Sequence, residues 1–378
     1  MKILHLASFS GNIGDVANHS GFYSQLSRLI GKEMKDLEIT RLEIRKFYRS
    51  WGQMEFDKKF VEMANEHDIL VIGGGNFFEL CWDYSATGTT FDISEENLKS
   101  ITKPIFINGI GIDDNKGLNK DNIEKFRKFL YILKEKKNVF FTVRNDGSYE
   151  IVKKYFSEFS SFIHVIPDHG FFVKDLIDTS SKVDSIGFNI ALDMKETRYK
   201  NITYLQFLSI IGEQINRICK ETNYNIIFFP HIISDYQAIM DVLPYIKNEY
   251  TRTRISIASL IQDEELKTFE YYTSCKTIFA MRFHANICAL SLGVPVIPII
   301  SYPKHEKLYK EIAASNWILN INNDNFNTEI SKQTELICNK QTAGHLLSEG
   351  NKNQILVKQK EIVYQLLEKW LKENGFKL

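Results

Sequence analysis

The sequence lacks the features that mark several large classes of protein. Its 378 residues contain no apolar run near the roughly 18 residues that a transmembrane helix needs. Basic and acidic residues balance at 47 each, and no basic tract stands out. Because proteins that bind nucleic acid usually carry a basic surface, we expect no nucleic-acid partner.

Cysteine is scarce, and no cysteine spacing is typical of disulfides or of a metal site. The five cysteines are scattered without a CxxC pair: Cys81, Cys219, Cys275, Cys288 and Cys338. Such thiols are typical of buried positions in a reducing compartment. Histidine pairs and carboxylate clusters with ligand spacing are also missing, so no metal site is predicted.

The chain opens directly on a strand pattern, so we expect no signal peptide. With no transmembrane pattern either, the expected location is cytoplasmic. There the protein is either free or peripheral at the inner face of the membrane.

What the sequence does have is an alternation of strand and helix patterns. Short apolar runs, typical of buried parallel strands, recur before amphipathic segments. This alternation predicts an α/β protein with two Rossmann-like domains facing a cleft, which is a GT-B-like layout. The predicted domains are residues 1–178, 179–350 and a C-terminal helix at 351–378 that can pack back on the first domain, with a linker at 173–185.

The most informative stretch follows a predicted strand at 277–280. Arg282 and His284 stand at the carboxyl edge of that strand, where open α/β sheets bind ligands. The amino terminus of the next helix also favours anions. The pattern predicts an anion site with a proton donor. From this segment alone, the alternative is a surface arginine and a histidine that caps the helix or fills the core.

Glycine-rich or charged turns follow most of the other predicted strands. Gly11 and Gly14 lie in a strand–loop–helix pattern that lets backbone N–H groups approach an anion. Three glycines precede Asn76, and Arg144 ends a later strand. The long segment at 77–96 carries aromatic residues that either stack on a sugar or pack on the domain.

These motifs, in this order, resemble those of the polysaccharide pyruvyl transferase family. The resemblance spans about residues 3 to 310 and rests on Gly11-Asn12-Ile13-Gly14-Asp15, Gly73-Gly74-Gly75-Asn76, Asn108-Gly109-Ile110-Gly111, Arg144 with Ser148, Pro167-Asp168, Pro230-His231, Arg282-Phe283-His284-Ala285, and Gly293-Val294-Pro295-Val296 through Ser301-Tyr302-Pro303-Lys304. It implies that phosphoenolpyruvate is the donor substrate and that no cofactor is bound. The implied product is a pyruvate ketal on two hydroxyls of a sugar, within a cell-surface polysaccharide or its precursor.

By this resemblance, His284 is the catalytic acid and base, and Arg282 and Arg144 bind the donor. Further donor contacts are expected from Gly11, Asn12, Gly14 and Lys304. Candidates for acceptor binding or secondary roles are Asp15, Asn76, Asp168, His169 and His231. An ordinary turn or capping role also explains each of these five. The implied acceptor is a sugar or glycan, either free or lipid-linked.

One departure from the family pattern keeps two other functions open. Many members carry an arginine at the end of the first strand of the second domain, where this chain has Asn189, Leu192 and Asp193. A GT-B glycosyltransferase that uses a nucleotide sugar would share the predicted fold. A non-catalytic relative would share it too, although Arg144, Arg282 and His284 together argue against that reading.

Overall fold

Two parallel sheets organise the chain in a computed structural model that describes residues 1–115, 117–178, 184–261, 265–347 and 352–378. These residues form two compact units: Met1–Phe9, Phe22–His169 and Gln354–Leu378 in the first, Ser10–Gly21 and Gly170–Asn353 in the second. The predicted α/β class is confirmed. The predicted domain boundaries and the cleft stay predictions, and part of the predicted linker, 179–183, lies outside the described residues.

The first unit is built on a six-stranded sheet in which every pairing is parallel. The strands of this part of the chain are β1 (Lys2–Ala7), β2 (Glu38–Glu43), β3 (Ile69–Gly73), β4 (Phe78–Glu79), β5 (Ile105–Ile110), β6 (Ile112–Asp113), β7 (Val139–Arg144) and β8 (Ile163–Ile166). Their order is β2-β1-β3-β5-β7-β8, with β4 and β6 paired separately. The α-helices are α1 (Ile13–Leu29), α2 (Lys58–Glu66), α3 (Glu95–Ser100), α4 (Lys120–Glu135) and α5 (Ser148–Tyr155).

The second unit has its own six-stranded parallel sheet, in the order β11-β10-β9-β12-β13-β14. Its strands are β9 (Ser185–Asn189), β10 (Asn225–Phe228), β11 (Ile255–Ile257), β12 (Cys275–Ala280), β13 (Val296–Ile300) and β14 (Leu319–Asn320). The remaining helices are α6 (Lys195–Arg198), α7 (Tyr204–Glu221), α8 (Ile233–Val242), α9 (Asn248–Thr253), α10 (Glu265–Tyr272), α11 (Phe283–Ser291), α12 (Pro303–Glu311), α13 (Phe326–Cys338) and α14 (Lys352–Glu373).

The strand order of the second sheet reverses between β9 and β12. Chain connections leave this pair of strands in opposite directions, which opens a crevice at their carboxyl ends. Asn189 ends β9, and Arg282 follows β12 by two residues. The fold therefore brings the predicted anion site to the switch point of the second sheet.

Apolar side chains cover both faces of the first sheet, which explains its continuous apolar strands. One face packs against α2 and α4, with residues such as Phe60 and Phe126 fully buried. The other face carries part of α1 and the final helix, α14, which contributes Val363, Leu367 and Trp370 to the buried cluster. The last helix therefore belongs to the core of the first unit.

The segment predicted as a long loop at 77–96 is more ordered than its composition indicates. It contains β4 and the start of α3, and Thr89 and Phe91 are fully buried. The Thr87 hydroxyl donates to the Phe91 carbonyl at 2.7 Å, which closes the segment on itself. The Arg49 guanidinium lies 3.9 Å from the centroid of the Tyr84 ring, so one face of this aromatic ring is covered.

Several helices and strands were not predicted from the sequence, among them α5, α13 and β14. α5 has only 8 residues and begins directly after Gly147, whose φ is +88°. About two turns of helix are too few to show a clear apolar period. Among the helices described, none combines the length and the apolar character needed to span a membrane.

Gly73 is the last residue of β3, and its replacement tests how closely this end of the strand packs against its neighbour. Its φ is +138°, and a Cβ there would overlap the Asn108 carbonyl oxygen of the neighbouring strand. We expect Gly73→Ala to lower the free energy of unfolding by about 3 kcal/mol or more, because neither strand can move without breaking the sheet pairing. Urea unfolding measures this change.

Gly31→Ala is the matched control in the same unit. Gly31 also has a positive φ, +65°, but nothing lies within 4 Å of an added Cβ. Only the cost of the left-handed conformation, about 1 kcal/mol, is expected there. Equal losses in the two variants would contradict the steric account of Gly73.

Candidate functional site

Asn189 fixes the backbone at the switch point of the second sheet. Its side-chain oxygen accepts from the Arg282 N–H at 2.8 Å, and its side-chain nitrogen donates to the Phe229 carbonyl at 2.7 Å. Its own carbonyl accepts from the Met281 N–H at 3.1 Å. The fully buried Asn189 therefore ties the ends of β9, β10 and β12 together. The absence of the family's usual arginine from this region did not predict that structural role.

The Arg282 guanidinium is held between two carboxylates. Its Nε donates to Asp235 Oδ2 at 2.7 Å, and its Nη2 donates to Asp193 Oδ1 at 2.7 Å and to Asp235 Oδ1. Burial disfavours the charged guanidinium, but the two carboxylates outweigh that cost, so the pKa of Arg282 is raised. The side chain stays charged and has one fixed orientation.

Asp235 is itself anchored from the start of α8. Its Oδ2 accepts from the His231 and Ile232 N–H groups at 2.8 and 3.2 Å, and the residue is fully buried. The spacing of Asp235 four residues after His231 is a helix-start pattern. That pattern could have identified Asp235 in the sequence, but not its pairing with Arg282.

His284 lies in the first turn of α11, against the glycine loop. The residue is 8% exposed, and a Cβ on Gly14 would overlap Cβ, Cγ and Nδ1 of its side chain. Asn12 caps α1 by accepting from the Gly14 N–H at 2.9 Å. The Ile13 N–H donates to the His231 carbonyl at 3.1 Å. The structure thus brings together, within the second unit, the predicted residues Gly11, Asn12, Gly14, His231, Arg282 and His284.

Arg198 and His305 belong to the same edge and were not predicted. Arg198, in α6, donates from Nη1 to the Ser301 hydroxyl at 2.7 Å and from Nη2 to Asp193 Oδ1 at 3.4 Å. His305, in α12, follows the predicted Lys304, whose Nζ lies 5.6 Å from the centroid of the Phe283 ring. No periodicity marks Arg198, because its four-residue helix is too short to show one.

Two buried imidazoles at this edge are neutral. Burial lowers the pKa of His231 well below its ordinary value, and the positive charge of Arg282 adds to the effect. Burial likewise lowers the pKa of His305, with Arg198 and Lys304 adding to it. The Nδ1 atoms of both rings have no hydrogen-bond partner among the residues that the structure describes. Both Nδ1 atoms are also buried, and Nε2 of His231 shares a hydrogen bond of 2.6 Å with the Tyr272 hydroxyl.

The predicted donor arginine of the first unit, Arg144, is enclosed in ion pairs. Its side chain is 3% exposed, and it donates to Asp146 at 2.8 Å and to Asp168 at 3.1 Å. Burial disfavours its charge, but the two carboxylates raise the pKa of Arg144. Asp168, predicted for the acceptor, is thus a partner of Arg144.

The other predicted residues are spread over both units. In the first unit, the Asn76 amide donates to Glu79 at 3.2 Å and to Asp113 at 3.1 Å, and His169 shares a hydrogen bond of 3.0 Å with the Tyr364 hydroxyl. Asp15 lies half-buried in the first turn of α1, in the second unit. Among the residues described, no group of three or more His, Cys, Asp or Glu side chains could hold a metal ion.

With this geometry in place, comparison with family models decides the relationship. The model described as polysaccharide pyruvyl transferase matches residues 12–303, which include Gly14, Arg282 and His284. The chain belongs to the polysaccharide pyruvyl transferase family. The resemblance seen in the motifs is therefore confirmed, and the chain is a transferase of a family that modifies polysaccharide by pyruvylation.

Solved structures support the fold of this pyruvyl transferase family member. A Staphylococcus aureus protein, MnaA, solved with UDP, is 13% identical, with a TM-score of 0.52 over 97% of this chain and 98% of its own. The UDP-GlcNAc 2-epimerase of Methanocaldococcus jannaschii, solved with UDP-GlcNAc and UDP, is also 13% identical, with a TM-score of 0.50 over 97% and 99%. Their GT-B-like fold is the class predicted from the sequence. No curated protein matches the sequence.

The contact between Gly14 and His284 yields a prediction for this pyruvyl transferase. In Gly14→Ala, the new methyl group would displace the imidazole, whereas alanine suits the helical backbone at this position. We expect transferase turnover to fall by about 10²-fold, since small displacements of a reacting group are costly. The melting temperature should also fall, because the overlap includes Cβ of His284, so turnover is compared at a temperature at which the variant is folded.

Ser20→Ala, on the same helix, is the matched control and should keep wild-type turnover. Turnover and thermal unfolding are measured on both variants. A Gly14→Ala enzyme with wild-type turnover would show that the position of His284 does not depend on the glycine loop.

Proposed function

We propose that this protein transfers the pyruvate of phosphoenolpyruvate to two hydroxyls of a sugar. The product is a pyruvate ketal on a cell-surface polysaccharide or its precursor. The observation that carries the proposal is the pair formed by Arg282 and His284 at the switch point of the second sheet, with Arg282 fixed by Asp235 and His284 packed on Gly14. Phosphoenolpyruvate enters as a substrate, so the reaction calls for no resident cofactor.

The donor fits the charges at this edge. Phosphoenolpyruvate carries a carboxylate and a phosphate on a three-carbon frame, and arginine pairs bidentately with either group. Arg282, Arg198 and Lys304 supply positive charge from three segments of the second unit. Arg144 stays a predicted donor ligand, although its partners Asp146 and Asp168 would compete with a donor for its N–H groups.

In the proposed reaction, His284 gives a proton to C3 of the enol phosphate. C2 then becomes oxocarbenium-like, and a sugar hydroxyl forms a C–O bond to it while its proton passes to a base. The bond from C2 to the phosphate oxygen breaks, and its electron pair leaves with phosphate. A second hydroxyl then closes the ketal at C2 and releases its proton. An imidazole suits the first step because histidine is the side chain that most readily exchanges a proton near neutral pH.

The base in this scheme must be neutral before it accepts the hydroxyl proton. His231 and His305 are neutral imidazoles at this edge, because burial lowers the pKa of each, although the same shift makes each a weaker base than an exposed histidine. The predicted acceptor contacts Asp15, Asn76, Asp168 and His169 remain candidates for holding the sugar. The acceptor is a glycan in this proposal, either free or lipid-linked.

A nucleotide sugar is the alternative donor. The similar MnaA and UDP-GlcNAc 2-epimerase structures were solved with UDP or UDP-GlcNAc, but at 13% identity the likeness extends to the fold alone. A nucleotide also needs a slot for a base and a ribose, whereas phosphoenolpyruvate needs only a compact cationic pocket. We therefore favour phosphoenolpyruvate.

The test is a screen of sugar acceptors with phosphoenolpyruvate, following phosphate release and the mass of the product. His284→Gln keeps a hydrogen-bonding side chain but cannot shuttle a proton. We expect it to fold, to bind phosphoenolpyruvate and to lose turnover by about 10²–10⁴-fold.

His67→Gln, the same substitution in the first unit, is the control and should keep wild-type turnover. Near wild-type turnover in His284→Gln would remove His284 from the mechanism. Unfolding of His284→Gln at temperatures where wild type is stable would favour a structural role for this histidine.

A further inference from the structure

The two carboxylates that hold Arg282 differ in how they are anchored. Asp235 is fully buried and accepts backbone N–H groups from the start of α8. The Asp193 side chain is 31% exposed, and among the described residues only Arg282 and Arg198 donate to its carboxylate. Asp235 is therefore built into the fold, whereas Asp193 is held by the arginines alone.

Both arginines keep their positions without the Asp193 carboxylate. Arg282 is fixed by Asp235. Arg198 donates from Nε to the backbone carbonyl of Asp193 at 2.8 Å and from Nη1 to the Ser301 hydroxyl at 2.7 Å. A rotation of the Asp193 side chain alone would take its carboxylate into solvent, and two Nη2 groups would then face one vacated position.

We propose that Arg198 and Arg282 form the anion pocket of this protein, and that the Asp193 carboxylate occupies it until an anionic group of the substrate displaces it. The inference rests on the proposed function for the identity of the substrate, phosphoenolpyruvate. Many family members have an arginine at the end of the first strand of the second domain, where this chain has Asn189. In this pocket Arg198, in α6, supplies the second guanidinium instead.

The geometry of the occupant supports this assignment. Asp193 Oδ1 lies 2.7 Å from Nη2 of Arg282 and 3.4 Å from Nη2 of Arg198, so a single carboxylate oxygen bridges two guanidinium groups. A carboxylate or phosphate of the donor has the same acceptor chemistry and more oxygens to share between them. Burial and the neighbouring Arg282 lower the pKa of Arg198, so an anion that bridges the two groups relieves an unfavourable pair of like charges.

An internal occupant changes affinity in a defined way. A ligand that must displace Asp193 binds more weakly than it would bind to an empty pocket. Its apparent affinity is the intrinsic affinity multiplied by the fraction of molecules in which the pocket is open. Inorganic phosphate, the product of the proposed reaction, meets the same competition. Asp193 thus weakens the binding of donor and product anions alike, which favours the release of phosphate.

The experiment measures binding of inorganic phosphate and of phosphoenolpyruvate, separately, by calorimetry. Asp193→Asn keeps the size of the side chain and removes its charge. We expect both ligands to bind about tenfold more tightly, since a charge-assisted hydrogen bond accounts for a factor of that order. Arg198→Gln should weaken the binding of both by about tenfold or more.

Glu221→Gln is the matched control, because Glu221 also pairs with an arginine of the second unit, Arg217, but on the exposed surface of α7. It should bind both ligands as wild type does. Thermal unfolding is compared first. If Arg198→Gln does not fold, Arg198→Lys replaces it, and the loss of the planar fork should still weaken binding.

Each outcome decides one part of the account. Unchanged or weaker binding of phosphate in Asp193→Asn overturns the internal occupant, and unchanged binding in the folded Arg198 variant overturns the paired pocket. If phosphate binds more tightly in Asp193→Asn while phosphoenolpyruvate binds to no variant, the pocket stands and the proposed donor fails.

Discussion

A guanidinium that is buried next to a sheet edge must be paired, and the pairing of Arg282 with Asp235 is the constraint on which the site depends. An unpaired charge at this depth would cost several kcal/mol. Asp235 meets the requirement, since the backbone N–H groups of His231 and Ile232, just before α8, fix it in turn. Asn189 holds the Arg282 backbone from the neighbouring strand. Arg282 is therefore fixed before any ligand arrives, and so is the start of α11 that carries His284.

Much of this arrangement could be predicted from the sequence. Buried parallel strands give continuous apolar runs, so the strand predicted at 277–280 falls within β12, Cys275–Ala280, and ends at the same residue. The position of Arg282 and His284 followed from the same pattern, because residues directly after a buried strand must lie at its carboxyl edge. Gly14 was predicted as part of an anion loop, and the structure adds its contact with His284.

What the sequence could not predict are partners brought together from distant segments. Arg198, Asp193 and His305 reach the site from three loops or short helices whose patterns carry no periodicity. Arg144 shows the same limit, since its position at the end of a strand was predicted but its enclosure by Asp146 and Asp168 was not. Side-chain pairing depends on the distances between strand ends, and those distances follow from strand order rather than from local sequence.

The account's central claim is that the edge around Arg282 binds a compact anion with a carboxylate and a phosphate, and not a nucleotide. The most direct measurement is titration of the wild-type protein with phosphoenolpyruvate and, separately, with UDP, by isothermal calorimetry at one ionic strength. The account predicts saturable binding of phosphoenolpyruvate that is lost in Arg282→Ala, and no saturable binding of UDP. Saturable binding of UDP, with none of phosphoenolpyruvate, would contradict it.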